Sequence, residues 1–322
     1  MTGTTDEMRV RPQRWLRLWR WLINDERAFD NLDEAGRARF DWLRVTPFVA
    51  IHLACFAVVE VGVSAVALSV ALALYVLRMF FVTAFFHRYF AHRAFRASRV
   101  MQFVMAVLGC TAGQRGPLWW AAHHREHHIA SDTVQDPHSP THRGFLFSHT
   151  LWFLTRGSFA TPAHRVRDWL RYRELVWLER FDWLPFVALA AACWSLGAWL
   201  ESTAPQFETS GAQMLVWGFF VSSVALYHAT YTINSLAHRF GRQRYATRDD
   251  SRNNAWLALI TLGEGWHNNH HRFPAAARQG FFWWELDLSF LGLRLLALLG
   301  LVSNLRPVPA HVLAGAQRVE HL

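Results

Sequence analysis

The sequence predicts an all-α integral membrane protein, with four transmembrane helices and polar, largely helical segments on the cytoplasmic side that build a metal centre. Three observations carry this. Hydrophobic residues make up 52% of the 322, with 25 Phe and 17 Trp, and they come in long blocks. Ten of the 18 histidines sit in four short stretches, HRYFAH, HHREHH, NSLAH and HNNHH, which follow or lie between those blocks. The arginines crowd the segments that carry the histidines, which the positive-inside rule places in the cytoplasm.

Taken in order, residues 1–45 form a cytosolic or interfacial segment and 46–322 a single domain. Asp6 and Glu7 precede Arg and Trp rather than a short apolar core, so the start does not read as a signal peptide. Residues 11–24, RPQRWLRLWRWLIN, fit a helix lying in the membrane interface or one packed on the domain. Residues 24–45 are charged and read as cytosolic. Pro47 to Phe86 is broken only by His52, Glu60 and Arg78, enough for two spans, at about 46–64 and 67–87, with a turn near Glu60 to Ser64. The second span delivers His87 and His92.

The polar stretch 88–182 contains an apolar patch, Val100 to Ala112, too short to cross and read as a buried or interfacial helix. Gly116 and Pro117 open a helix that carries HHREHH, because proline suits the first helical turn. Phe145 to Leu154 is another short apolar segment. Spans at about 183–200 and 214–237 follow, joined by ESTAPQFETSGAQ, which has two Glu and no Arg. Both termini and every histidine block then face the cytoplasm. Residues 287–303, interrupted by Arg294, read as a membrane-surface helix, with a fifth span as the alternative.

The formal charge of +9 is carried by arginine, since the chain has no lysine. No nucleic-acid recognition motif accompanies it, so it reads as a basic face against anionic lipid that can also dock an acidic redox partner. Cys55, Cys110 and Cys193 lie in apolar stretches without paired spacing and read as core or lipid-facing residues.

On a helix, positions i, i+3 and i+4 share a face, so His267, His270 and His271 converge, as do His124, His127 and His128. His87 and His92 lie five apart, near enough in angle to reach a common site. With His238, nine imidazoles are candidate ligands, too many for one metal and enough for two with four or five each. A nitrogen-rich pair with few carboxylates and no thiolates points to iron in oxygen chemistry. His123, Glu126 and His127 match an inverted zinc-protease pattern, but a zinc hydrolase would leave the other clusters without a role.

HRYFAH, HREHH, NSLAH and GEGWHNNHH, in this order around paired spans, resemble the membrane-bound fatty acid desaturases, specifically the acyl-CoA delta-9 (stearoyl-CoA) desaturase family. DPH at 136–138 and RGFLFSH at 143–149 add to the likeness, which runs from about Pro47 to Pro274. The resemblance implies a mushroom-shaped protein whose cytosolic cap holds two iron ions on His87, His92, His124, His127, His128, His238, His267, His270 and His271. Asn234 would reach one iron through water, and Glu264 would orient an imidazole. His123 stands outside the ligand set.

The implied reaction desaturates a saturated acyl chain with O2, at an inner membrane of bacterial type. The chain has no cytochrome-domain heme signature and no G-x-G-x-x-G, so electrons would come from a separate ferredoxin, rubredoxin or cytochrome with its reductase. Trp119, Trp120 and Trp266 flank the boxes as candidate tunnel residues. Ala122 and His123 replace an Arg-Asp pair that contributes to CoA binding in animal relatives. Acyl-CoA is expected first and a membrane-lipid acyl group second. Arg93 and Arg143 are candidate phosphate contacts. A di-iron hydroxylase is the competing enzyme, and a metal transporter is disfavoured because ligands would then sit at mid-span.

Overall fold

The computed structural model describes residues 14–25 and 32–316. Asp6 and Glu7, residues 11–13 of the expected interfacial helix, and 26–31 of the charged stretch lie outside the described residues. Among the described residues, four helices are long and apolar enough to cross a membrane: Trp42–Val61, Ala65–Ala91, Trp183–Thr203 and Gly211–His238.

The N-terminal helix, Arg14–Leu22, is attached to the domain at one end. Its Trp15, Leu18 and Trp19 are exposed. Its far end is fixed to the domain: Trp183 donates to the Leu22 carbonyl at 2.7 Å, and Asn24 donates to Asp182 at 2.9 Å while accepting from Arg115 at 2.5 Å.

The first span begins ahead of the expected boundary at 46. Asp41 accepts from the Leu43 N–H at 3.2 Å and caps the helix there. Arg44 does not interrupt it, because its guanidinium lies 3.3 Å over the Phe159 ring and 3.4 Å from Asp41. The division at 45/46 therefore cuts through a helical turn. Gly62, at φ +65°, makes the turn between the first two spans, and Ser64 caps the second span by accepting from Ala67 N.

The second span continues to Ala91 rather than stopping at 87, because Phe81–Ala91 winds as a π-helix. The i→i+5 bond from His92 N–H to His87 C=O, at 3.2 Å, puts two side chains five residues apart on one face. The expected patch is a helix, Arg99–Cys110, packed on this segment. Next, Pro117–Ala130 starts with proline at its first turn. Its N-cap is Gly116, which has no side chain to offer. Glu179 supplies the missing acceptor, taking the N–H of Leu118 at 3.0 Å and of Trp119 at 2.9 Å.

The fourth span lies inside the bundle and the first at its edge. After the fourth span the chain forms a helix, Ala255–Ile260, a tight turn, and the last histidine helix, His267–Arg272. Gly265 allows that turn: a Cβ there would lie 2.0 Å from the Ala258 nitrogen. Residues Leu288–Leu298 form an 11-residue helix, about 16 Å long and too short for a fifth span. Its Leu291, Leu295 and Leu298 are exposed, as is Trp283 nearby. The strands Arg96–Ala97 and Val302–Ser303 pair antiparallel and fasten this end to the second span's exit.

Candidate metal centre

Nine imidazoles meet where the second and fourth spans end, joined there by helices Pro117–Ala130 and His267–Arg272. They form two groups among the described residues: His87, His92, His124, His128 and His270 in one, and His127, His238, His267 and His271 in the other. Within each group one nitrogen per residue lies within 4.8 Å of all the others. The groups are neighbours, with the rings of His128 and His271 4.5 Å apart. Each histidine helix is split between them, since His127 points away from His124 and His128, and His270 away from His267 and His271.

The first group brings Nε2 atoms into unusual proximity: His87 to His270 at 3.0 Å, His92 to His124 at 2.9 Å, His124 to His128 at 3.0 Å and His128 to His270 at 2.9 Å. In the second, the Nε2 atoms of His238 and His267 are 2.9 Å apart, and His271 Nε2 is buried without a partner. Lone pairs pressed together repel unless a proton or a metal ion stands between them. Nitrogens sharing an ion at about 2.1 Å lie roughly 3 Å apart. The donor set fits one metal ion in each group, and all-nitrogen ligation suits iron.

Four carboxylates set the rings. Asp132 takes His238 Nδ1 at 2.7 Å, Asp136 takes His127 Nδ1 at 3.0 Å, Asp249 takes His271 Nδ1 at 2.7 Å, and Glu264 pairs with His87 Nδ1. Each bond fixes the Nδ1–H tautomer and aims the Nε2 lone pair inward. Glu264 is itself held by Arg88 and Gln279, both at 3.1 Å. Burial, together with the neighbouring imidazoles, holds His92, His124, His128, His267, His270 and His271 well below the usual histidine pKa, keeping them neutral. His127 goes the other way: burial opposes its charged form, but Asp136, Asp132 and Asp249 together outweigh burial and raise its pKa. Asp136 stays well below the carboxylate range despite burial, because of His138 and His127.

Asp136→Asn is expected to weaken metal retention in the four-imidazole group by roughly 10- to 100-fold and leave the other group loaded. Metal titration of the purified variant checks this, and equal loss from both groups would contradict it.

Asn234 lies one turn before His238. Its carbonyl accepts from Ser148 at 2.8 Å, and its side chain makes no hydrogen bond among the described residues. His123 turns away, with Nε2 3.1 Å from the Ala160 carbonyl and its ring between Trp119 and Trp152. Glu126 faces Arg165 and His164, so the inverted zinc-protease triplet does not assemble. Trp120 stacks on His124 at 4.9 Å, whereas Trp119 donates to Ser158 and Trp266 to Leu286. Arg93 is taken by Asp168 at 2.7 Å, and Arg143 is exposed.

Sequence reasoning missed Asp132, Asp136 and Asp249. DPH at 136–138 held one of them, noted only as a family likeness. Asp132 meets a histidine 106 positions away, a pairing that no local pattern reveals.

The family model for fatty acid desaturase matches residues 63–298. An sn-1 stearoyl-lipid 9-desaturase of Anabaena variabilis is 34% identical over 84% of this chain and 95% of its own length. An acyl-CoA 5-desaturase of Anemone leveillei is 36% identical over 68% of this chain and 64% of its own, and an sn-1 stearoyl-lipid 9-desaturase of Synechocystis is 35% identical over 69% and 65%. The matched region carries every histidine of both groups, and on that ground the chain belongs to the fatty acid desaturase family of enzymes.

Proposed function

We propose that the chain converts two adjacent methylenes of a saturated acyl group into a cis-type double bond at the delta-9 position. The acyl carrier in this reading is a membrane glycerolipid. O2 is the oxidant, and one turnover consumes two external electrons and two protons and releases two waters. Two iron ions would be held by His87, His92, His124, His128 and His270, and by His127, His238, His267 and His271. When bound, iron supplies the oxidising power for cleavage of the inert C–H bonds.

The observation that carries this reading is the pair of all-imidazole groups at the ends of two spans. Asp132, Asp136, Asp249 and Glu264 orient the rings, and Asn234, one turn before His238, would hold a water there. Trp120, packed on His124 and 5.6 Å from His87, shields the first group from bulk water. Two points support the lipid carrier over acyl-CoA, the first expectation from sequence. A histidine, His123, held at the Ala160 carbonyl, stands where a CoA-binding carboxylate would be, and two of the relatives are named stearoyl-lipid 9-desaturases.

In this reading the arginine-rich segments and both termini face the cytoplasm of a bacterial cell, with the Glu-bearing 201–213 connector outside. A ferredoxin, rubredoxin or cytochrome with its reductase delivers the electrons.

The test is the fatty-acid profile of a host lacking aerobic desaturases that expresses the chain with a ferredoxin system. Purified protein is then assayed with stearoyl-glycerolipid against stearoyl-CoA. A delta-9 monounsaturated acid formed only from the lipid is the expected result. A hydroxy acid would identify a hydroxylase, and product from stearoyl-CoA alone would return the carrier to CoA.

A further inference from the structure

Three imidazoles outside the metal groups form a chain of their own. His52 of the first span meets His228 of the fourth, Nε2 to Nε2 at 3.2 Å. His228 Nδ1 meets Nε2 of His149, on the short helix Phe147–Leu151, at 3.1 Å. His149 Nδ1 in turn meets the Ser235 hydroxyl at 2.9 Å. Phe48, Phe145 and Tyr231 pack on the rings, and among the described residues no carboxylate or guanidinium pairs with them. Histidines inside a membrane bundle are rare and commonly belong to ion or proton pathways. Neither the metal groups nor the carboxylates that orient them use these three.

The far end of the chain sets the direction of every bond in it. His52 Nδ1 lies 2.7 Å from the Phe48 carbonyl, which can only accept, so Nδ1 carries the ring hydrogen and Nε2 a lone pair. His228 must then donate from Nε2 and accept at Nδ1, His149 must do the same, and Ser235 donates to His149. In this neutral state every ring lone pair is taken, and the open acceptor is the Ser235 oxygen. A further proton enters there: Ser235 passes its hydrogen to His149 Nδ1, takes the new one, and turns it to the Tyr231 carbonyl 3.0 Å away. The charge then hops across each shared bond to His228 and His52, and at every stop each N–H keeps an acceptor. Phe48 closes the far end, so the proton leaves by the way it came. Two charged rings one hydrogen bond apart would repel, which limits the store to a single proton.

We infer that His149, His228 and His52 form a reservoir for one proton, filled and emptied through Ser235. Ser235 is fully buried, adjoins Asn234 and lies three residues before His238, so the mouth of the reservoir stands at the metal centre. Burial and the facing His228 hold His149 below the usual histidine pKa, which favours release of what it stores. Resting on the desaturase reading, the reservoir supplies one of the two protons that a turnover consumes.

The test counts protons. The purified full chain in lipid vesicles is titrated from about pH 8 to about pH 5, and its uptake is compared with that of His149→Gln, His228→Gln and the double variant. Each single variant is expected to take up about one proton fewer than the wild type, and the double variant also about one fewer, because the rings share it. Losses that add in the double variant, or uptake equal to wild type in the single ones, overturn the inference. Ser235→Ala keeps all three rings and removes the mouth. Its turnover is expected to fall by roughly 100-fold, with a larger solvent deuterium isotope effect. A merely structural role for Ser235 would lower turnover without raising the isotope effect, and that result, or no loss at all, overturns the inference. Should the histidine variants fail to accumulate, Ser235→Ala decides. Wild-type protein that makes no monounsaturated acid would overturn the desaturase reading, while the proton count still decides the reservoir.

Discussion

His270→Ala is expected to abolish turnover, with activity down by roughly 10³-fold or more, and to empty the five-histidine group while the other keeps its iron. His270 Nε2 is 3.0 Å from that of His87 and 2.9 Å from that of His128, so its removal opens one side of the first group. The neighbouring His271→Ala should do the reverse: its ring belongs with His127, His238 and His267 and is tied to Asp249. Both residues lie in one turn of one helix, so general unfolding would affect the two variants alike. Iron per chain by elemental analysis, near one in each variant against two in the wild type, checks the assignment. Two irons retained in either variant would remove that histidine from the ligand set.

Arg88→Met is expected to be among the most destabilising substitutions in the chain. Arg88 is 1% exposed and lies between two buried carboxylates, 3.1 Å from Glu264 and 3.0 Å from Asp287, and it also donates to the Ala277 carbonyl at 2.9 Å. Methionine fills similar volume but leaves two carboxylates in low dielectric without a cation. Breaking a buried pair in this way costs about 3–5 kcal/mol. The loss spreads to the metal centre, because Glu264 positions His87 and Asp287 caps the helix Leu288–Leu298. Thermal unfolding in detergent should show the loss, and Arg88→Met/Asp287→Asn should recover part of it by removing one uncompensated charge. A melting temperature equal to wild type would show that these carboxylates find other partners.

Much of the site was legible because its information is local. The i, i+3, i+4 spacing of HREHH and HNNHH puts three imidazoles on one helical face, and that spacing survives folding. The HRYFAH pair was legible as a pair but not in its geometry. Five residues is an awkward separation on an α-helix, and it becomes regular only because Phe81–Ala91 winds as a π-helix. Glu264 stood out because it lies beside the last histidine box. Asp132 and Asp249 did not, since carboxylates in polar loops are common and only the folded chain shows which ones meet a ring.

The sequence by itself determined the class of molecule and the nine candidate imidazoles, because hydrophobic length and helical spacing act within a few residues of one another. Tertiary structure alone decided how the nine imidazoles divide. His127 leaves its own helix-mates to join His238, His267 and His271, and His270 leaves its neighbours to join His87. The reason is geometric: three side chains on one helical face diverge in direction by a fraction of a turn, and which metal each faces depends on what the opposing helices present. The same holds for Arg78, an interruption in an apolar run by sequence, whose hydrogen-bond partners Ser222 and Ser223 are supplied by the fourth span.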